Sequence, residues 1–294
     1  MIAFPLLQYL IFYVVVNFNS ILMSMQKYAI VDNKITYVFE GNILDNYVKV
    51  FNDLFHAQWM GQTITNSFIF WISTLLIVTP LALFFSFYIT KKYWGSQFFR
   101  VILYMPSLIC SIVVVYIYQV LVDNIFPDIL IRVFNYPEAN RLSYQFYSNV
   151  QTRFTAILVY NIFFSFGANV LMYSGAMSGV SKEMIEASHI DGCGDFKEFI
   201  FITLPCVYPT LTTFIVVGIG GFFTHQMGLY EFEGKGADSS IWTLGYFIYK
   251  STVDEGGKEL YPYLSALGVI FTLVAAPLSL LVKYMLEKFG PSEN

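Results

Sequence analysis

Charge is what this chain has least of. Only 12% of its 294 residues are Asp, Glu, Lys or Arg, half of the roughly 25% carried by soluble globular domains. With 56% hydrophobic residues, a soluble monomer would have too little polar surface to cover it. Cysteine is scarce too. Cys110, Cys193 and Cys206 are odd in number and lack metal-ligand spacing, which excludes a disulfide framework and a zinc site. His56, His189 and His225 stand alone in the sequence, so no metal site is expected. There is no G-x-x-x-x-G-K-[ST], G-x-S-x-G or H-E-x-x-H, so the chain is not expected to be an enzyme of those kinds. A net charge of -4 gives nucleic acid nothing to bind.

What is present is a series of uncharged apolar runs, each near the ~20 residues that cross a bilayer. Six spans are expected: 4–23, 64–87, 101–122, 154–176, 205–224 and 261–282. The first has no basic region ahead of it and no Ala-x-Ala site, so it reads as a span rather than a signal peptide. Pro80 and Pro209 should kink the second and fifth spans. Between the spans, a short strand or turn precedes an interfacial helix at 48–55. A further short helix is expected at 129–134, and an amphipathic one at 241–249. All six runs lack acidic and basic residues. Proton-coupled carriers normally need such groups, so the energy for any transport must come from another source. Sodium coupling through carbonyls stays open.

Lys91, Lys92 and Arg100 form the tightest basic cluster and lie between the second and third spans. The positive-inside rule places that loop in the cytoplasm, which by alternation puts both termini and residues 177–205 there. Raw counting points the other way, since nine of the 16 basic residues fall in the outer segments. The local clusters at Lys91 and Lys283 carry the assignment.

The fourth span contains Asn161, Ser165 and Asn169, four residues apart and so on one helical face. Lipid cannot satisfy such a stripe. It faces either a water-filled path or a neighbouring helix, and both readings stand. Thr212 and Thr213 in the fifth span join it as candidates for the path. Gly167 and Gly175 would let helices approach closely.

The stretch 186–205, EASHIDGCGDFKEFIFITLP, is a polar island between apolar runs. Ser181 can cap a short helix with Glu183 in its first turn. Asp191-Gly192 would end that helix, and a second would start at Phe196. A helix, a glycine turn and a helix at a membrane mouth suit a docking surface. An ordinary inter-helix loop is the other reading.

The order Glu186-Ala187, Asp191-Gly192, Phe199, Ile202 and Leu204-Pro205 closely resembles the EAA loop of permeases in binding-protein-dependent ABC importers, in its sugar-transporting, maltose-type "F" form. Ser188 and Cys193 depart from the pattern, but both are small. The resemblance extends outward through Asn46-Tyr47, Pro106-Ser107 and the 242–249 segment. It implies an all-α integral membrane protein with six transmembrane helices and the type I ABC importer permease fold. It further implies a single permease domain over 1–294, with 177–205 as the cytoplasmic coupling loop, in a prokaryotic cytoplasmic (inner) membrane. Glu183, Met184, Ile185, Glu186, Ala187, Asp191, Gly192 and Pro205 would couple it to the ATPase. The implied partners are a second homologous permease, two ATP-binding subunits that use ATP and Mg, and an external solute-binding protein. The implied cargo is a carbohydrate, and an uncharged path lined by amides, hydroxyls and aromatics suits a neutral one. A permease for an amino acid, peptide or phosphate, or a non-transport membrane subunit, are the alternatives.

Overall fold

The computed structural model describes residues 3–31 and 34–291. Among them, six helices are long and apolar enough to cross a membrane: α1 (Phe4–Ser24), α3 (Gln58–Thr90), α5 (Ser111–Arg132), α6 (Arg153–Met177), α8 (residues 195–224) and α11 (Tyr261–Phe289). Shorter helices join them: α2 (Asp45–His56), α4 (Ser96–Tyr104), α7 (Lys182–Ile190), α9 (Leu229–Glu233) and α10 (Leu244–Val253). Among the described residues the one sheet is an antiparallel hairpin of β1 (Lys27–Val31) and β2 (Lys34–Val38), with Lys27 opposite Val38. The chain is a multi-pass, all-α membrane protein with a β-hairpin inserted after its first span.

The connections sort to two ends of the bundle, as alternating spans require. At one end lie the hairpin, α2 and residues 225–260, with the Tyr37 hydroxyl donating to Lys258 O at 3.1 Å. At the other lie residues 91–95, α7 and the last turns of α11, where the Tyr208 hydroxyl donates to Leu286 O at 3.0 Å. Three apolar clusters fill the interior. One is built around Met60, Leu244 and Leu267, a second around Phe70, Ile157 and Tyr246, and a third, toward the α7 end, around Phe87, Val170 and Val207. Exposed apolar side chains cover α1, among them Phe4, Leu10 and Phe18, as lipid contact demands.

Polar side chains in the spans are satisfied locally or hold loops down. Thr63, Ser67, Ser73 and Thr74 donate to the carbonyl four residues back. The Asn46 amide reaches Ser24 O and Gln26 O at 2.8 Å each, closing the end of α1. The Tyr47 hydroxyl pairs with Ser24 Oγ at 2.6 Å. Asn66, 2% exposed, donates to Ser240 O and Trp242 O at 2.8 and 2.9 Å. Asn66→Leu should therefore take the donor from both carbonyls, of which that of half-buried Trp242 is the harder for water to reach. We expect it to cost about 1–3 kcal/mol, read as a lower midpoint in a thermal melt in detergent.

The third span differs from expectation. The run at 101–122 is divided: α4 ends in a 3-10 turn over Met105–Leu108, and Ile109 and Cys110 are extended. Pro106, placed near the start of a span, stops a helix instead. The spanning helix α5 starts at Ser111 and runs through Asp123 to Arg132, absorbing most of the helix expected at 129–134. The span therefore carries acids after all. Asp123, 8% exposed, is tolerated because it accepts hydrogen bonds from Tyr147 N at 2.8 Å, Ser148 N at 3.0 Å and Ser148 Oγ at 2.5 Å.

The irregularities in α3 and α8 are π-helical, at Thr74–Val78 and Phe199–Thr203, each just ahead of a proline. Pro209 lies inside a continuing helix. The helix expected at 48–55 spans Asp45–His56, and the one at 241–249 is Leu244–Val253 behind a 3-10 turn. Gly167 makes the expected close approach, to Leu103 of α4, whereas a Cβ on Gly175 would meet nothing within 4 Å.

Candidate functional site

The segment between α6 and α8 is a short helix clamped at both ends. Ser181 Oγ accepts from Met184 N at 3.2 Å and caps α7. At the other end Gly192, with φ +76°, takes the left-handed conformation that a side chain resists. Gly192 N then donates to His189 O at 3.1 Å and Cys193 N to Ser188 O at 2.9 Å. This is the paired bonding of a Schellman turn. Ser188 and Cys193 occupy its two contact positions. Ser188 is 7% exposed, so the small side chain is what the packing there requires.

Helical spacing puts Glu183, Glu186, Ala187 and Ile190 on one face, and all four are exposed, Ile190 at 86%. Met184 is 48% exposed beside them, and Ile185 is half-buried against the bundle. Neither Glu183 nor Glu186 forms an ion pair among the described residues. Asp191 and Gly192 are exposed at the turn. The structure thus gathers seven of the eight coupling-loop candidates on one helix-turn, six of them exposed and Ile185 on its inner side. Pro205 is apart from them, at the start of the α-helical part of α8 after the π-helical stretch.

The underside of α7 carries a charged junction that sequence reading missed. Glu198, with its side chain 1% exposed, meets Lys91 Nζ at 2.5 Å and His189 Nε2 at 3.0 Å, both through Oε2. Its Oε1 is buried without a partner. Beside it the Tyr93 hydroxyl donates to Asp195. That bond and the neighbouring carboxylates push the Tyr93 phenol up to about 12, so it remains a donor at physiological pH. Phe87 and Phe199 pack 5.0 Å apart on the same seam. His189, Asp195 and Glu198 bring ligand atoms within 4.8 Å of one another, but the Lys91 ammonium sits on Glu198 Oε2 and its charge opposes a second cation there. The sequence held one signal of this junction, Glu198 set directly against the apolar run 199–202.

The path candidates separate into three places. Asn161 is buried and donates to Ile157 O at 2.8 Å and Met227 O at 2.9 Å, fastening α6 to the loop after α8. This is the inter-segment bonding reading of the polar stripe. Asn169 lines a cavity of about 270 Å³ between α3, α6 and α8, with Phe70, Trp71, Thr74, Thr79 and Phe214. His225, stacked on Phe70, also lines it, and no carboxylate or ammonium group does. Thr212 and Thr213 border a different cavity of about 500 Å³, closed by Lys283 and Glu287 of α11. Thr212 Oγ1 is buried there without a partner, and Thr213 donates back to Pro209 O at 2.9 Å. The side chain of Ser165 lies outside the described residues.

A model of the family described as binding-protein-dependent transport system inner membrane component matches residues 79–292. The chain is 22% identical over 280 residues to the probable ABC transporter permease protein YurN of Bacillus subtilis (strain 168), covering 94% of this chain and 91% of that protein. It is 24% identical over 284 residues to the arabinooligosaccharides transport system permease protein AraP of the same organism, covering 94% and 83%. Its fold matches a chain from a bacterial ABC transporter involved in the import of the acidic polysaccharide alginate. The TM-score is 0.74 at 18% identity, over 98% of this chain and 94% of that one. Six spans, the clamped helix-turn between the fourth and fifth, and a family match over most of the length agree: the chain belongs to the inner-membrane components of binding-protein-dependent transport systems.

Proposed function

We propose that this chain is a permease subunit of an ATP-driven importer of a neutral carbohydrate, an oligosaccharide in the first instance. It would pair with a second, homologous permease and receive two ATP-binding subunits on α7, with both termini and α7 in the cytoplasm. The observation that carries this reading is the outward face of α7. Two unpaired acids and two exposed apolar side chains, Met184 and Ile190, stand on a helix locked at both ends. Exposed apolar groups ringed by charge at a membrane mouth favour a protein partner over water.

The cavity beside Asn169 supports the cargo class. Trp71, Phe70 and Phe214 offer apolar ring faces to a sugar, and Thr74, Thr79 and Asn169 offer hydroxyl and amide groups. AraP is named for arabinooligosaccharides and the structural relative for alginate. Alginate is acidic, and a cavity with no ammonium or guanidinium group, whose one titratable lining side chain is His225, suits an uncharged sugar better. In the same reading ATP and Mg belong to the partner subunits, and a solute-binding protein delivers the cargo from outside.

Isolation of the complex from its host membrane tests both parts. A second permease and an ATP-binding subunit should co-purify, and neutral oligosaccharides with the binding protein should raise the ATPase rate. Absence of an ATP-binding subunit would sink the transport reading. Stimulation by alginate oligosaccharides or amino acids alone would sink the neutral-sugar assignment.

A further inference from the structure

We infer that Glu198 is a positioning residue that links the docking helix to the wall of the cavity, through its paired contacts with His189 and Lys91. The inference rests on the proposed docking of an ATPase on α7 and deepens it by naming how motion leaves that helix. Three observations carry it.

The first is topological. α7 is joined to α6 through Ser178 to Ser181 and to α8 through the Gly192 turn. The Schellman turn closes α7 on itself, and Gly194 beyond it offers no side chain to tie the turn to α8. Among the described residues, the one side-chain hydrogen bond or ion pair from α7 to another helix is His189 Nε2 to Glu198 Oε2, at 3.0 Å. His189 directly precedes Ile190 of the docking face, so both move with the same rigid helix.

The second is where the contact leads. Glu198 belongs to the first turn of α8, and its Oε2 also holds Lys91 at the end of α3, 2.5 Å away. Further along, α8 supplies Phe214, Gly218 and Gly221 to the cavity, and α3 supplies Trp71, Thr74 and Thr79. One carboxylate therefore ties the docking helix to two of the three helices that enclose the cavity. Phe87 of α3 packs on Phe199 of α8, and Tyr93, in the turn after α3, donates to Asp195 of α8 on the other side. A push on α7 would reach α3 and α8 together.

The third is burial. A carboxylate 1% exposed with one oxygen unpartnered is a costly way to fill space. An apolar residue would serve a packing role at least as well. A charge contact differs from apolar packing in holding its partners to one register, and that is what a transmission element needs.

The test uses the assembled transporter with its binding protein in lipid nanodiscs. Cys110, Cys193 and Cys206 are replaced by Ser, and Thr74→Cys reports on the cavity through its maleimide labelling rate with and without ATP. In this parent, ATP should change the rate. In Glu198→Gln the ATP-binding subunit should remain bound and hydrolyse ATP, while the ATP-dependent change in labelling falls about tenfold, within the range of a coupling between distant sites. His189→Ala removes the α7 side of the contact and leaves Lys91 on Glu198, and should lower the response as far as Glu198→Gln does. Undiminished response in Glu198→Gln would overturn the inference. So would loss of the ATP-binding subunit from that variant, because Glu198 would then only scaffold α7. So too would an undiminished response in His189→Ala. A parent complex that holds no ATP-binding subunit would instead refute the proposed function.

Discussion

Glu186→Lys should leave the chain folded and in the membrane, yet bring uptake to background. Glu186 sits at the centre of the exposed face of α7, one helical turn from Glu183 and from Ile190, and its side chain forms no hydrogen bond or ion pair among the described residues. Its replacement therefore costs the fold little, and surface changes of this kind usually stay within about 0.5 kcal/mol. In the proposed complex the same position is covered by the ATP-binding subunit. A carboxylate buried there needs a basic partner, and reversing it sets two like charges together. Breaking such a pair costs about 2–5 kcal/mol or more, and at about 1.4 kcal/mol per factor of ten this lowers docking affinity by roughly 30-fold to several thousandfold. The measurement is twofold: the quantity of chain in washed membranes, and the quantity of ATP-binding subunit that co-purifies with it. Normal membrane content with lost co-purification and lost uptake is the expected result. Full uptake by the variant would end the argument for Glu186 as a docking contact. Glu186→Gln separates the terms, since it keeps the shape and removes only the charge, and should fall between the two.

The helix-turn was legible because its signals are local. A serine cap, a polar run and Asp191-Gly192 lie within a dozen residues, and the structure places α7 at Lys182–Ile190. Most of the spans were legible for the same reason, as apolar length bounded by charge. The third was not. Hydropathy alone cannot tell that Pro106 ends a helix, or that Asp123 is affordable because Tyr147 and Ser148, more than twenty residues on, bring it three donors. Glu198 failed for a similar reason: its partner Lys91 is 107 residues away, so one member of the pair reads as a loop acid and the other as a topology marker. The polar stripe of α6 failed through geometry. Asn161 and Asn169 are eight residues apart, which leaves them about 80° out of line at 3.6 residues per turn. One then finds Met227 O and the other the cavity. Sequence spacing can show that two side chains share a side of a helix. It cannot show what the neighbouring element presents to each.

Two glycines of α6 that read alike in sequence should behave in opposite ways. A Cβ on Gly167 would lie 2.0 Å from the carbonyl oxygen of Leu103 and 2.9 Å from its carbon. Both are backbone atoms, so no side-chain rotation relieves the clash. The crossing of α4 on α6 must open, and small residues at such crossings are what let membrane helices approach. Overpacking of this kind typically costs about 1–3 kcal/mol for added methylenes, and a backbone collision belongs at or above the upper end. Gly167→Ala should therefore lower the thermal midpoint of the purified protein markedly, and Gly167→Leu should yield little folded chain. Gly175 is two turns further along the same helix, and a Cβ there meets nothing within 4 Å. Gly175→Ala removes the entropic cost of a helical glycine, about 0.5–1 kcal/mol relative to alanine, and should hold or raise the midpoint. A fluorescence melt of the three variants beside the parent decides the matter. Equal effects at 167 and 175 would mean that the α4–α6 contact does not form as described. Because α4 directly follows the turn bearing Lys91 and Tyr93, displacing it by Gly167→Ala should also slacken the seam around Glu198. In the surviving folded fraction, the ATP-dependent response of the cavity should then weaken along with stability.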